Sequence, residues 1–260
     1  MRPRIVALVR FSYVARGGFS KGGGDPATLL FDRARLERRF RLFEALCLPS
    51  LRAQADGAFE TIVLTARSLP AWARDRLERL VDTLPGGRVV AMDVRFHYAA
   101  VRAAFASLEP RGETHRVTLR LDDDDALATD CVARMRALAP RAAAVEPDAP
   151  VSISFNRGYY AHLGEGRVYE VVERLPLGIG MGLVAPAGHP DNAFARNHRF
   201  MPQFFNHWSE AGTPMWIRTI HGDNDAEPTL HGRRDTAGRD GIEAAMAARF
   251  HLTLRDLEAL

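Results

Sequence analysis

The feature that most constrains this chain is a regular alternation, over its first 140 residues, of short apolar runs with amphipathic stretches. Ile5-Val6-Ala7-Leu8-Val9 has no solvent face, and a run of that kind reads as a strand covered on both sides. Asp32 stands at an N-cap position, and Leu36, Phe40, Phe43 and Cys47 follow at helical spacing until Pro49. Thr61-Ile62-Val63-Leu64 is a second strand. A helix from about Pro70 carries Leu77, Leu80 and Leu84 on one face and closes at Gly86-Gly87. Val89-Val90-Ala91-Met92 is a third strand, and Val101, Ala104, Phe105 and Leu108 mark a helix ended by Pro110-Arg111-Gly112. Val117 to Leu121 is the fourth strand, followed by a helical stripe of Leu127, Cys131, Met135 and Leu138. Strands and helices alternating at this pace predict βαβ units and an α/β fold with a mostly parallel central sheet between helices.

The rhythm changes after Pro140. Val151, Ile153 and Phe155 alternate with polar residues, and Tyr169, Val171 and Glu173 mark a second extended segment, so a small antiparallel C-terminal part is expected. Asn156-Arg157-Gly158 reads as a turn. From Gly178 to about Asp240 the chain is rich in Gly, Pro, His, Asn and Trp with little periodicity, the signature of functional loops. Ile242, Met246 and Phe250 are spaced as a helix. No internal repeat or low-complexity linker divides the 260 residues, so one domain is expected over 1–260.

Composition excludes several classes. With 47% hydrophobic and 26% charged residues the chain is neither collagen-like, coiled coil nor wholly disordered. No stretch approaches the roughly 20 apolar residues of a membrane span, and the first apolar run is too short for a signal-peptide core. Cys47 and Cys131 fall in helix-like apolar patterns, which suits reduced core thiols and a cytoplasmic location, peripheral at the inner membrane face as a variant. The formal net charge is only +3, and the arginines interleave with acids, as in Asp32-Arg33-Ala34-Arg35-Leu36-Glu37-Arg38-Arg39. That pattern suits a solvated helix face and argues against a nucleic-acid partner.

The chemistry concentrates in Asp122-Asp123-Asp124-Asp125, directly after the fourth strand. The C-terminal ends of parallel strands are where open α/β sheets bind ligands. Four adjacent carboxylates repel one another, and a hard divalent cation, Mg²⁺ or Mn²⁺, would relieve the repulsion while bridging to phosphates. The competing reading is that the acids cap the next helix, where negative charge gains about 0.3–1 kcal/mol. A second polar cluster, His221-Gly222-Asp223-Asn224-Asp225, follows a short strand-like segment from Trp216 to Ile220. His221 is a candidate metal ligand and Asp223 a candidate general base, against a plain surface turn. Gly178-Ile179-Gly180-Met181-Gly182 lacks nucleotide-loop spacing and reads as a flexible loop. His189, His198, His207 and His231 show no zinc-site spacing. Phe204, Phe205, Trp208 and Trp216 suit either a sugar-stacking wall or core. No Gly-x-Ser-x-Gly elbow or Walker loop is present.

Taken together these stretches resemble the GT-A fold glycosyltransferases, and more closely the bacterial family known as putative rhamnosyl transferases. The resemblance rests on Val9-Arg10-Phe11-Ser12-Tyr13, on Arg39 through Glu44 with Cys47-Leu48-Pro49-Ser50-Leu51 and Gln54, on Arg120 through Leu127, and on Trp216 through His221. Pro49-Ser50-Leu51, Gln54 and Phe59-Glu60-Thr61-Ile62-Val63 are also similar to the signature of family 2 glycosyltransferases.

The resemblance implies a nucleotide-diphosphate sugar donor, an acceptor that is a glycan, lipid or small molecule, and a Mn²⁺ or Mg²⁺ ion on the diphosphate. Residues 1–140 would bind the donor and 141–260 the acceptor. Carried over by position, Asp122 would face the ribose and support the metal, Asp123 would lie in the nucleotide-sugar site, and Asp124 and His221 would ligate the metal. Asp125 would be catalytic beside Asp223, lying near the sugar or supporting the metal shell, and Arg10 would line the nucleotide pocket. Where the family 2 enzymes carry paired acids after the second strand, this chain has Leu64-Thr65-Ala66-Arg67, which leaves uridine and thymidine both open. Transfer through an oxocarbenium-like state in an inverting enzyme needs a carboxylate base, for which Asp223 stands first, with Glu210 and Asp191 behind it. A metal-dependent phosphoesterase and a non-catalytic nucleotide- or sugar-binding module are the alternatives.

Overall fold

A computed structural model describes residues 1–16, 25–224, 232–234 and 238–260. The glycine-rich stretch at 17–24, Asp225 and His231 lie outside the described residues.

The apolar run at the N-terminus becomes the strand Pro3–Arg10, and Ile5 through Val9 are fully buried, as a strand without a solvent face must be. It pairs in parallel with Glu60–Ala66 on one side and His115–Asp122 on the other. The seven-stranded sheet has the order Asn206–Glu210, Val151–Phe155, Gly182–Pro186, His115–Asp122, Pro3–Arg10, Glu60–Ala66, Arg88–Met92. Its N-terminal-half strands are parallel throughout, whereas Gly182–Pro186 runs antiparallel to both of its neighbours. The result is a mixed α/β fold with a large, mostly parallel sheet flanked by helices. One face packs on Leu36, Phe40, Leu77, Cys131 and Met135, the other on Val101, Phe105 and Phe194. No helix of the described residues is long and apolar enough to cross a membrane.

A second, five-stranded sheet joins distant parts of the chain. It contains the hairpin Arg157–His162 and Arg167–Val172, then Trp216–Ile220, then the short strand Ala126–Leu127. Trp216 and Ile217 pair antiparallel with Leu127 and Ala126. This pairing ties the exit of the aspartate run to the strand that leads into His221.

Several local expectations change. The helix Arg33–Leu42 does not stop at Pro49. It passes through a π turn at Phe43–Cys47, where the Leu48 N–H donates to the Phe43 carbonyl, and continues as Leu48–Arg52. Proline lacks an N–H and crowds the carbonyl four residues back, and the wider turn accommodates both defects. Leu127 belongs to a strand; the helix behind it starts at Cys131. Arg157 opens a strand where a turn was expected, because the Asn156 side chain donates to the Glu173 carbonyl and its N–H to that of Glu210.

The segment 178–240 is also more ordered than its composition suggests, since it supplies the strands Gly182–Pro186, Asn206–Glu210, Trp216–Ile220 and Arg233–Arg234. Gly178 to Gly182 is packed inside the fold and shows nothing of a surface loop. Gly180 has φ +67°, and a Cβ there would stand 3.0 Å from the Leu127 side chain. Trp216 is core, its indole N–H donating to the Phe155 carbonyl at 2.8 Å, while Phe204 and Trp208 are more than half exposed. No single wall of the four aromatics exists.

Candidate active site

At the C-terminal ends of the parallel strands lies a cavity of roughly 520 Å³ whose wall includes all four aspartates of the run. Register explains its floor. Arg10 ends its strand opposite Asp122, and its Nε donates to Asp122 Oδ1 at 3.0 Å. Burial pushes the Asp122 carboxyl up, but the Arg10 and Arg120 charges outweigh burial and hold it at about 2.

The chain then turns, the Asp125 N–H reaching the Asp122 carbonyl at 3.3 Å, before entering Ala126–Leu127. The helix that follows begins only at Cys131, after Asp130. The capping alternative therefore fails, because a helix end attracts charge only within its first turn.

The next three carboxylates point into a polar interior supplied by the Arg33–Leu42 helix and by the residues after Trp216–Ile220. Arg39 forms an ion pair with Asp123 and donates from Nη1 to Asp124 Oδ2 at 2.9 Å. His221 Nε2 lies 3.0 Å from the same Asp124 oxygen, and the Asn224 amide donates to it at 3.2 Å. Arg39 and then His221 outweigh burial and hold the Asp124 carboxyl well below the usual range. Asp125 accepts the Thr219 N–H at 3.1 Å. Burial first, then the charges of Asp124 and Asp122, push its carboxyl well above the usual range.

The short loop 221–224 is self-fastened. Asn224 Oδ1 accepts the His221 N–H at 2.7 Å, and the Asp223 N–H donates to His221 Nδ1 at 3.2 Å. The Asp223 side chain turns the other way, to Arg38, whose Nε donates to it at 2.7 Å. That hydrogen bond holds the Asp223 carboxyl below its ordinary value. Asp223 is absent from the cavity wall, and so are Glu210, paired with Arg134 at 2.7 Å, and Asp191. A depressed carboxylate facing away from the cavity is a poor proton acceptor for a bound hydroxyl.

The metal expectation meets a mixed arrangement. Asp124 Oδ2 and His221 Nε2 are hydrogen-bonded at 3.0 Å, so the two atoms that could ligate a cation face each other across a shared proton that the ion would displace. One oxygen and one imidazole nitrogen suit a hard cation that takes its remaining ligands from water and phosphate. Asp122 is not with them, because Arg10 draws its carboxylate away. Among the described residues no three His, Cys, Asp or Glu side chains gather as a metal site. Among the described residues a two-residue set is what remains.

Comparison with known proteins bears on this geometry. The family described as "Putative rhamnosyl transferase" matches residues 4–233. The chain belongs to that family. No curated protein matches it. Solved structures similar to it include Staphylococcus aureus TarS residues 1–349 in complex with UDP, at 11% identity and TM-score 0.43 over 84% of this chain and 60% of that one. They also include the longer TarS structure, at 11% identity and TM-score 0.43 over 85% and 37%. The chain thus spans 60% and 37% of the lengths of these two TarS structures.

Within the family's motif stretches, the structure brings together Arg10 with Asp122, and Asp123, Asp124 and Asp125 with Arg39, His221 and Thr219. Three contributors carried no assigned role in the sequence. Arg39 looks like one more charge on a solvated face, yet it is only 8% exposed. Asn224 looks like turn chemistry. Arg120 sits inside the motif, two residues before Asp122 and on the same strand face, and that spacing is the signal that locates it.

Proposed function

We propose that this protein is a metal-dependent glycosyltransferase that moves a sugar, rhamnose as the family description suggests, from a nucleotide-diphosphate donor to an acceptor hydroxyl. The observation that carries the reading is the meeting of Asp124 and His221, 97 residues apart in sequence, at 3.0 Å, with Asp124 but not His221 on the cavity wall. Asp124 and His221 would hold Mn²⁺ or Mg²⁺, and the ion would act as a Lewis acid on the departing diphosphate. The acceptor is a glycan, a lipid or a small molecule.

Each side chain has a job that follows from its position. Arg39 neutralises Asp123 and Asp124, so that three adjacent carboxylates stay folded inward around the cavity. Asp122, ionised and fixed by Arg10, presents an oriented acceptor for a ribose hydroxyl. Asp125 is the cavity carboxylate that forms no ion pair among the described residues, which leaves it to take the proton of the acceptor hydroxyl. Asp223 fixes the imidazole of His221 through its backbone N–H and anchors the loop through Arg38.

The test is a panel of nucleotide-sugars with Mn²⁺ or Mg²⁺, reading release of the nucleoside diphosphate. One donor, including a rhamnose donor, should turn over, and Asp125→Asn should slow it by at least about a hundredfold. Release from generic phosphodiesters, with no nucleotide-sugar turned over, would replace this reading with a phosphoesterase.

A further inference from the structure

The cavity has a second side that the tetrad does not use. Arg120 sits on its wall with its guanidinium carbon 4.8 Å from the Phe194 ring centroid. On its other flank is Gly178, so close that a Cβ there would stand 2.7 Å from Arg120 Nε. Ring and glycine clamp the guanidinium in place. Its Nε is sealed from solvent without a hydrogen-bond partner, and among the described residues its terminal nitrogens form no ion pair. The nearest carboxylate, Asp122, is taken by Arg10 through two nitrogens. His198, on the same wall, also has a sealed and unpartnered ring nitrogen, Nε2. Arg10 and Arg120 thus face the one carboxylate of Asp122, and the excess positive charge would be balanced by an anion that a ligand supplies.

We propose that Arg120, with His198 beside it, forms a subsite for an oxyanion, a phosphate or carboxylate group, carried by the acceptor or by the transferred sugar. The donor's own diphosphate is a different group. Asp124 is surrounded by Arg39, His221 and Asn224, whereas Arg120 is surrounded by Phe194 and His198 from the segment after Gly182–Pro186. A diphosphate drawn toward Asp124 and His221 leaves Arg120 for a third anionic group. Arg120 stays protonated at neutral pH, since burial lowers it only to about 10. Assigning the group to acceptor or sugar rests on the transferase reading; the binding of an oxyanion does not.

The experiment titrates inorganic phosphate into the full chain by calorimetry, first alone and then with UDP or dTDP and Mg²⁺ at saturation. Wild-type protein should bind phosphate in both conditions. Arg120→Met should weaken it by about tenfold or more, and Arg120→Lys should restore part of the loss. Should the Met variant not fold, Gly178→Ala keeps the charge but displaces it, and should weaken phosphate binding in the same direction. Equal phosphate affinity in wild type and Arg120→Met would overturn the subsite. Complete competition by the nucleoside diphosphate would overturn its assignment to a third anion. Failure of both nucleotides to bind would count against the transferase reading, while the phosphate titration of the free protein still decides the subsite.

Discussion

The two sides of one cavity solve the burial of charge in opposite ways. On the tetrad side every carboxylate has a donor: Asp123 and Asp124 share Arg39, Asp124 also meets His221 and Asn224, and Asp125 takes a backbone N–H. On the far side Arg120 is clamped between Gly178 and Phe194 with no anion of its own. The first arrangement is complete without a ligand, so its geometry is in place before a donor arrives. The second is completed only by a ligand. A mutation that removes charge should therefore damage one side and largely spare the other.

The largest expected contrast comes from one substitution made on each side. Arg39→Met strands two buried carboxylates and should lower unfolding free energy by about 3–5 kcal/mol. Arg120→Met removes a charge that forms no ion pair among the described residues and should change stability by far less, as urea unfolding would report. Equal losses at both positions would erase the distinction between the two sides.

Next in size is the response to acid. Burial holds His97 and His198, both on the Arg120 side, down to about 3 from an ordinary 6.5. A histidine with a depressed folded value stabilises the fold above its unfolded value and loses that contribution as pH falls toward the folded one. Between about pH 7.5 and about pH 4.5 each should cost roughly 2–3 kcal/mol. His198→Gln should flatten the decline by that amount in unfolding experiments at the two pH values; an unchanged slope would show that His198 protonates freely in the folded protein.

Asp125 on the tetrad side has the opposite sign. Its raised folded value means that its contribution is present below about 3.8 and is lost as pH rises. Asp125→Asn should therefore gain stability relative to wild type at pH 7.5 compared with acid, an asparagine oxygen still accepting the Thr219 N–H. The smallest effect belongs to Asp223→Asn. Its pair with Arg38 is partly exposed, so stability should change by about 1 kcal/mol or less and turnover by less than about fivefold. A loss of turnover of a hundredfold or more would return the base role to Asp223.

The sequence made some of this legible and hid the rest for physical reasons. A continuous apolar run such as Ile5 to Val9 has one sensible placement, so the succession of strands and helices and the location of the tetrad at a strand end were readable. The pairing of His221 with Asp124 came through family resemblance, since no local rule joins residues 97 positions apart. The burial of Arg39 was hidden because alternating charge on a helix looks solvated, and only its contact with the buried carboxylates of Asp123 and Asp124, 84 and 85 residues further along the chain, reverses that reading. Leu127 fits a helical stripe by spacing, but the antiparallel pairing with Trp216 overrode local propensity. Trp208 and Trp216 look alike in sequence; one is core and the other more than half exposed, which edge position in the sheet decides.

The most direct measurement is calorimetric binding of UDP and dTDP to wild-type protein and to Asp124→Asn, with and without Mn²⁺. One nucleotide should bind the wild type in a Mn²⁺-dependent manner, and Asp124→Asn should weaken this by at least about a hundredfold while the protein still unfolds cooperatively. Equally tight binding to both proteins, with or without the ion, would contradict it.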